Sequence, residues 1–227
     1  MRPHEYSYYE RQRFVVTAFM RSRARGGSRL MYDYRRMTPA EREAIVALRR
    51  ARRFPLHKPP HLQLGEGWYF ITAATFEHRP HFAAPLELTA LERRLLEAFR
   101  TAELPCAGWV VLPNHYHALV ETRVLSAVGK ALGPVHGRSS HYANQRDRRP
   151  GRQVWYKFSD RKVRSERHFW ACLHYIIDNP VKHGYVNEMD GWPWSCYSDL
   201  LSRNGREWIE DLGQDYPVGD FGAGWDL

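Results

Sequence analysis

The chain is poor in cysteine: three in 227 residues, Cys106, Cys172 and Cys196, with no CxxC pair. That excludes a disulfide framework and a cysteine-built zinc site, and it predicts a reducing compartment, the cytoplasm. Long apolar runs are also missing. Nothing approaches the roughly 20 residues of a membrane-spanning helix. The opening MRPHEYSYYERQRF has no apolar stretch of the secretory kind. No internal repeat is visible. Acidic residues are the minority charge, 25 Asp and Glu against 34 Lys and Arg, for a net charge of +9. A balance of that size favours a polyanionic partner, nucleic acid or an anionic membrane surface. With no span and no secretory signal, nucleic acid is the better reading.

Aromatic residues are plentiful, 14% of the chain, with 8 Trp and 13 Tyr. Bases of single strands stack on such rings, although any one ring more often fills a core. The length suits one well-buried domain with an appendage. Residues 1–60 differ from the rest. They are arginine-rich, and Pro55, Pro59 and Pro60 punctuate their end. Thr38-Pro39-Ala40-Glu41 reads as a capping box with proline at the first helical position, opening one basic helix. These features predict a basic N-terminal extension over 1–60, a main domain over 61–203 and an acidic, glycine-containing tail over 204–227. Trp208 and Trp225 are candidate anchors for the tail.

Within the main domain WYFITAATF has strand composition. LTALERRLLEAFRTA, from Leu88, has helical apolar spacing. GWVVLPNHYHALVET is a second strand region, with Pro113 at a bulge or edge. A helix from about Val124 is expected to break at Gly133-Pro134 and give way to a basic loop, HGRSSHYANQRDRRPGRQ. QVWYKFSDRKV is a possible third strand. Ser165 can cap a helix from Glu166 to about Asp178, with Pro180 as its stop. The alternation predicts an α+β domain, a small antiparallel sheet with helices packed on one face.

His115 and His117 flank Tyr116 in an apolar strand. Alternation puts both imidazoles on one face and Tyr116 on the other. Two neutral imidazoles on a rigid strand make half of a divalent metal site. The plain alternative is two ordinary histidines on a half-exposed strand. In RHFWACLHYIIDNP, Phe169, Leu173, Ile176 and Ile177 make a core stripe. At about 100° per residue, His168, Cys172, Tyr175 and Asn179 fall along one edge of it. Tyr175 and Asn179, four apart, sit one above the other. A phenol there can meet a substrate, and an amide oxygen one turn on can complete a metal site. Equally, Tyr175 can be a half-buried ring and Asn179 a helix-end residue. His168 and His174 are neighbouring imidazoles without an assigned role.

WVVLPNHYHALV, followed by HYIIDNPVKHGYV and WPWSCYSDL, resembles the REP-associated tyrosine transposases, single-strand transposases of the HUH endonuclease superfamily. The resemblance runs from about Gly65 to Leu200, and the NPVKHG block is its most characteristic part. It implies an HUH, ferredoxin-like fold, with His115 and His117 as the HUH pair, Tyr175 as the catalytic tyrosine and Asn179 as the helical metal ligand. It further implies Mg²⁺ or Mn²⁺, single-stranded DNA with hairpin-forming repeats as partner, a 5′-phosphotyrosine intermediate, and either a monomer or a homodimer. Arg146, Arg148, Arg149 and Arg152, with Lys157, Arg161, Lys162 and Arg164, are then candidate phosphate contacts. Tyr142, Trp155 and Tyr156 are candidate stacking rings. The alternatives are a non-cleaving hairpin-binding protein, RNA in place of DNA, and a metal phosphodiesterase that activates water.

Overall fold

β1, Gly67–Ala74, has six interior residues that are all buried. Side chains alternate across a strand, so a strand buried at every position must be covered on both faces. The computed structural model, which describes residues 65–219, shows what covers it. β1 pairs antiparallel with β3, His115–Thr122, and with the short β4, Ser159–Lys162; β3 pairs with β2, Cys106–Val111. The four-stranded order is β2-β3-β1-β4. A helix α1, Pro85–Thr101, joins β1 to β2, and α2, Leu125–Arg146, joins β3 to β4. This β-α-β-β-α-β order is that of ferredoxin-like folds.

The two crossover helices share one face. Trp109 on β2 donates from Nε1 to Glu92 of α1 at 2.9 Å. Tyr116 on β3 meets His136 of α2 through its hydroxyl, at 2.8 Å. The opposite face carries a third long helix, α3, Glu166–Lys182. There Trp68 packs edge-on against Phe169 at 5.1 Å, and Phe70 against Tyr175 at 5.9 Å between ring centroids. The expectation of helices on one face therefore holds for α1 and α2 and fails for α3. Gly108 explains how closely α3 approaches: a Cβ there would lie 2.5 Å from Leu173 Cδ1.

Several local expectations are corrected. GWVVLPNHYHALVET is two strands joined by a tight connection, with Leu112 N donating to His115 O at 2.8 Å. Pro113 sits in that turn and not at a bulge, and its carbonyl accepts from Phe82 N at 3.0 Å. α1 starts at Pro85, three residues before Leu88, because Pro85 pre-sets the first turn and Glu87 reaches back to Ala84 N at 3.1 Å. α2 runs through Gly133-Pro134 without a break. Its buried stripe, Val128, Ala131, Leu132, Val135, Ser139 and Ala143, continues on both sides of the proline. Each large apolar member contributes about 2 kcal/mol by burial, which offsets one lost backbone hydrogen bond. Much of the expected basic loop is consequently helix. Of QVWYKFSDRKV only Ser159–Lys162 is strand, with Trp155 forming a single bridge to Thr75.

α3 likewise continues past Pro180 to Lys182. The turn is closed behind the proline by His183 N to Asn179 O at 3.0 Å and Tyr185 N to Pro180 O at 2.9 Å. At its other end Ser165 Oγ accepts from His168 N at 3.1 Å, as the sequence predicts. After a short 3₁₀ turn the chain forms α4, Tyr197–Asn204, and α5, Arg206–Asp215. The expected tail thus begins as a helix, and Trp208 packs edge-on to Trp170 at 5.9 Å. The Thr38 capping box, the prolines at 55, 59 and 60, and Trp225 lie outside the described residues. All three cysteines are free and buried, and among the described residues no helix is long and apolar enough to cross a membrane.

Candidate active site

β3 and α3 lie face to face, and their repeats match. Residues two apart on a strand are separated by about 6.7 Å, and residues four apart on a helix by about 6 Å. His117 therefore lies beside Tyr175 while His115 lies beside Asn179. The His117 and Tyr175 ring centroids are 5.3 Å apart, and His115 Nε2 is 3.1 Å from Asn179 Oδ1. The two imidazoles sit 5.0 Å apart at 70°. All four side chains are buried: His115 is 1% exposed and His117, Tyr175 and Asn179 are each at 0%. Tyr116 projects to the other face, as alternation requires, and burial pushes its phenol well above the usual range.

Each histidine has an oxygen behind it. His115 Nδ1 is 2.8 Å from Asn114 Oδ1, and His117 Nδ1 is 2.9 Å from Thr72 Oγ1. In both rings the second nitrogen, Nε2, is the one left for the interface with α3. A ring whose Nδ1 is held by an oxygen and whose Nε2 faces outward is the usual arrangement of a metal-binding histidine. Asn179 adds a further sign. It presents Oδ1 to His115, and its Nδ2 is buried with no hydrogen-bond partner among the described residues. A buried amide oriented against its own hydrogen-bonding needs fits an oxygen turned toward a cation. Two imidazole nitrogens and an amide oxygen have the chemistry to hold a divalent ion. Among the described residues no three His, Cys, Asp or Glu side chains gather to do so.

Two residues that sequence reasoning did not single out border the site. Lys182, two helical turns after Tyr175, folds back so that Nζ lies 4.5 Å from the centre of the Tyr175 ring. The His183 ring is 5.0 Å from that of His115. The spacing from Tyr175 to Lys182 was a usable signal, since residues seven apart share a helix face. His174, in contrast, turns away, with Nδ1 2.8 Å from the Tyr216 carbonyl. His168 accepts from Arg164 N at 3.3 Å, and burial, followed by Arg164 and Arg161, holds its pKa below the usual value.

The candidate phosphate contacts divide into two groups. Arg146 pairs with Glu87 and with Asp147, and donates to the His81 carbonyl at 2.9 Å. Arg152 donates to Asp147 at 2.7 Å and Asn144 at 3.0 Å. These guanidiniums hold the Asp147 carboxyl well below the usual carboxylate range; they tie the end of α2 to its neighbours. Arg148, Arg149, Lys157 and Arg164 are exposed. Arg161 and Lys162 lie half-buried on β4, with Arg161 opposite Phe70 and so on the sheet face of the histidines. Trp155 is buried, stacked on His136 at 4.7 Å and Phe82 at 5.3 Å, so it does not offer a face to a base. Tyr142 and Tyr156 are 45% and 39% exposed and do. A groove of about 590 Å³ between α1 and α2 lies behind the sheet, away from the histidines.

No family model matches the chain. Over 164 residues, 70% of the chain and 91% of the relative, it is 24% identical to the REP-associated tyrosine transposase of Escherichia coli (strain K12). Its fold is similar to that in a solved structure of a REP-associated tyrosine transposase bound to a REP hairpin. The TM-score is 0.54 and the identity 20%, covering 66% of this chain and 87% of that one. The resemblance read from the three sequence blocks is thus met in both sequence and α+β fold.

Proposed function

We propose that the chain is a transposase of the REP-associated tyrosine kind, which cleaves and rejoins single-stranded DNA at hairpin-forming repeats. The observation that carries this reading is the convergence, across one strand–helix interface, of His115, His117 and Asn179 with a single tyrosine, Tyr175. The relatives named as transposases support the general role, and the +9 charge suits a polyanionic substrate.

His115, His117 and Asn179 would hold the divalent ion, with Mn²⁺ suiting two imidazoles better than Mg²⁺. When bound, it would neutralise charge on the scissile phosphate and orient it. Tyr175 supplies the nucleophile. Its phenolic oxygen forms a bond to phosphorus, the bond from phosphorus to the 3′ oxygen breaks, and the phenolic proton is balanced by the proton on the new 3′-hydroxyl. A covalent 5′-phosphotyrosine retains the phosphodiester's energy, so a second 3′-hydroxyl can reverse the step and join strands. Lys182, with Nζ over the Tyr175 ring, would offer a positive charge to a phosphate brought to Tyr175. Since Tyr175 is fully buried, the side chains that cover it must move aside for attack.

That burial also favours a second reading, in which water attacks and Tyr175 is structural. A denaturing-gel assay separates the two. Hairpin oligonucleotides from repeats flanking the gene are incubated with the protein and Mn²⁺ or Mg²⁺. A covalent adduct is expected, and it should vanish with chelator, Tyr175→Phe or His115→Ala. Cleavage that persists in Tyr175→Phe with no adduct would establish the hydrolytic reading instead. Tight binding without any cleavage would leave a hairpin-binding protein.

A further inference from the structure

Asn114 is not an obvious functional residue: it is half-buried, in the turn between β2 and β3. Yet it is held from several directions. Its carbonyl accepts from Thr75 N at 2.8 Å and from Thr75 Oγ1 at 3.0 Å. Its side-chain Nδ2 donates to the His78 carbonyl at 3.2 Å. The carbonyl is offered by a turn in which Glu77 and His78 both take left-handed backbone angles, φ 56° and 52°. For residues other than glycine this conformation costs of order 1 kcal/mol each. The turn is fastened by the Thr75 hydroxyl, whose single proton is shared between Arg79 O at 2.7 Å and Asn114 O at 3.0 Å.

The consequence is chemical. Because Nδ2 is committed to a carbonyl, the atom facing His115 must be Oδ1, and an amide oxygen only accepts. The proton between them therefore belongs to His115 Nδ1. Nε2 faces a second amide oxygen, Asn179 Oδ1 at 3.1 Å, but nothing fastens that amide, since Asn179 Nδ2 has no hydrogen-bond partner among the described residues. In a neutral imidazole one nitrogen carries hydrogen and the other a lone pair; the fixed amide of Asn114 decides, and Nε2 keeps the lone pair. Thr72 imposes no such constraint on His117, because a hydroxyl can donate or accept. We infer that Asn114 is a positioning residue: it fixes His115 as the Nδ1–H tautomer and so turns the Nε2 lone pair toward Asn179. The value of that tautomer to a bound cation rests on the metal reading proposed above; the tautomer itself does not.

The test is long-range ¹H–¹⁵N NMR of the metal-free full chain, labelled at histidine and recorded near pH 8, alongside Mn²⁺ titration followed by electron paramagnetic resonance. The wild type is expected to show His115 protonated at Nδ1. Asn114→Ala should give a mixture of tautomers or Nε2–H, and Mn²⁺ affinity lower by about 10- to 100-fold. Asn114→Asp, which keeps an acceptor, should retain Nδ1–H; it carries the test alone if Asn114→Ala does not fold. An Nε2–H signal for His115 in the wild type overturns the inference, and so does unaltered Nδ1–H in folded Asn114→Ala. Nδ1–H in a wild type that takes up no Mn²⁺ supports the tautomer assignment and overturns the metal reading. Mn²⁺ uptake with Nε2–H does the reverse.

Discussion

Asn179 Oδ1 and His115 Nε2, two atoms from residues 64 positions apart, stand 3.1 Å from each other inside the protein. Two lone pairs at that distance repel unless a cation or a proton lies between them, and Asn179 Nδ2, which would relieve the conflict, points elsewhere without a partner among the described residues. The amide is thus met on its oxygen side alone, and its nitrogen side adds nothing to the stability of the ligand-free protein.

Asn179→Leu should therefore separate stability from function. It removes an amide whose Nδ2 is unsatisfied and whose oxygen, on the His115 tautomer inferred above, faces a lone pair. No hydrogen bond is lost, so an apolar side chain of similar volume should be nearly neutral there. The expected outcome is a denaturation midpoint equal to or above that of the wild type without metal. Excess Mn²⁺ should stabilise the wild type by about 2.7 kcal/mol at one hundred times its dissociation constant, and Asn179→Leu by much less. Chemical denaturation with and without Mn²⁺ measures both. Clear destabilisation of the metal-free variant would mean that the amide serves the fold.

The arginines should divide by role. Removing any of the exposed Arg148, Arg149, Lys157 or Arg164 is expected to weaken single-strand binding. It should also lower the salt dependence, the slope of log K against log salt, by about 0.7 for each phosphate no longer neutralised. Arg146→Ala should instead destabilise the protein, because it leaves Glu87 buried without its partner. The cost is on the order of 2 kcal/mol, the value for a buried pair discounted for the partly exposed guanidinium. Salt-titrated DNA binding and urea denaturation on the same variants check the division.

His136 makes stability depend on pH. Burial lowers its pKa to about 4 from an ordinary value near 6.5, and as a neutral ring it meets the Tyr116 hydroxyl at 2.8 Å. Between those two values the unfolded chain binds a proton that the folded protein does not. Its contribution is thus intact above about pH 6.5 and is lost as pH falls toward 4, by up to about 1.4 kcal/mol per pH unit. Urea denaturation at pH 7.5, 5.5 and 4.5 should show the decline. His136→Gln, which keeps a polar group there but does not titrate, should flatten it by the share of one proton.

Gly108→Ala should act at a distance. The added Cβ would press on Leu173 of α3, and over-packing of this kind costs about 1–3 kcal/mol. Since α3 carries Tyr175 and Asn179, adduct formation should fall by more than the loss of folded protein explains. Adduct yield per folded molecule, normalised by circular dichroism, is the measurement.

The sequence displayed the pairwise logic of the site more clearly than its surroundings. Alternation placed His115 and His117 together, and helical spacing placed Tyr175 over Asn179; both depend only on local backbone geometry. That the two pairs face each other came from the family resemblance and not from spacing, because nothing local dictates how a helix docks on a sheet. The second helical layer was legible but missed: WYFITAA is apolar at successive positions, and such a run signals a strand covered on both faces. Pro134 and Pro180 misled for a different reason. Proline's cost is local, whereas the buried stripes on either side of it act together. Asn114 and Thr72 escaped notice because they serve through other residues, and single-residue patterns do not reveal such partnerships.

The match between a two-residue step on β3 and a four-residue step on α3 sets rules for how the gene can change. An added residue between Tyr175 and Asn179 would swing one of them about 100° around the helix, and an added residue between His115 and His117 would send one ring to the far side of the sheet. The connection between the two segments obeys no such rule, since it need only bring them back together, and surface insertions cost little. Insertions and deletions among relatives should therefore accumulate between the histidine pair and the tyrosine helix, while each short block keeps its length.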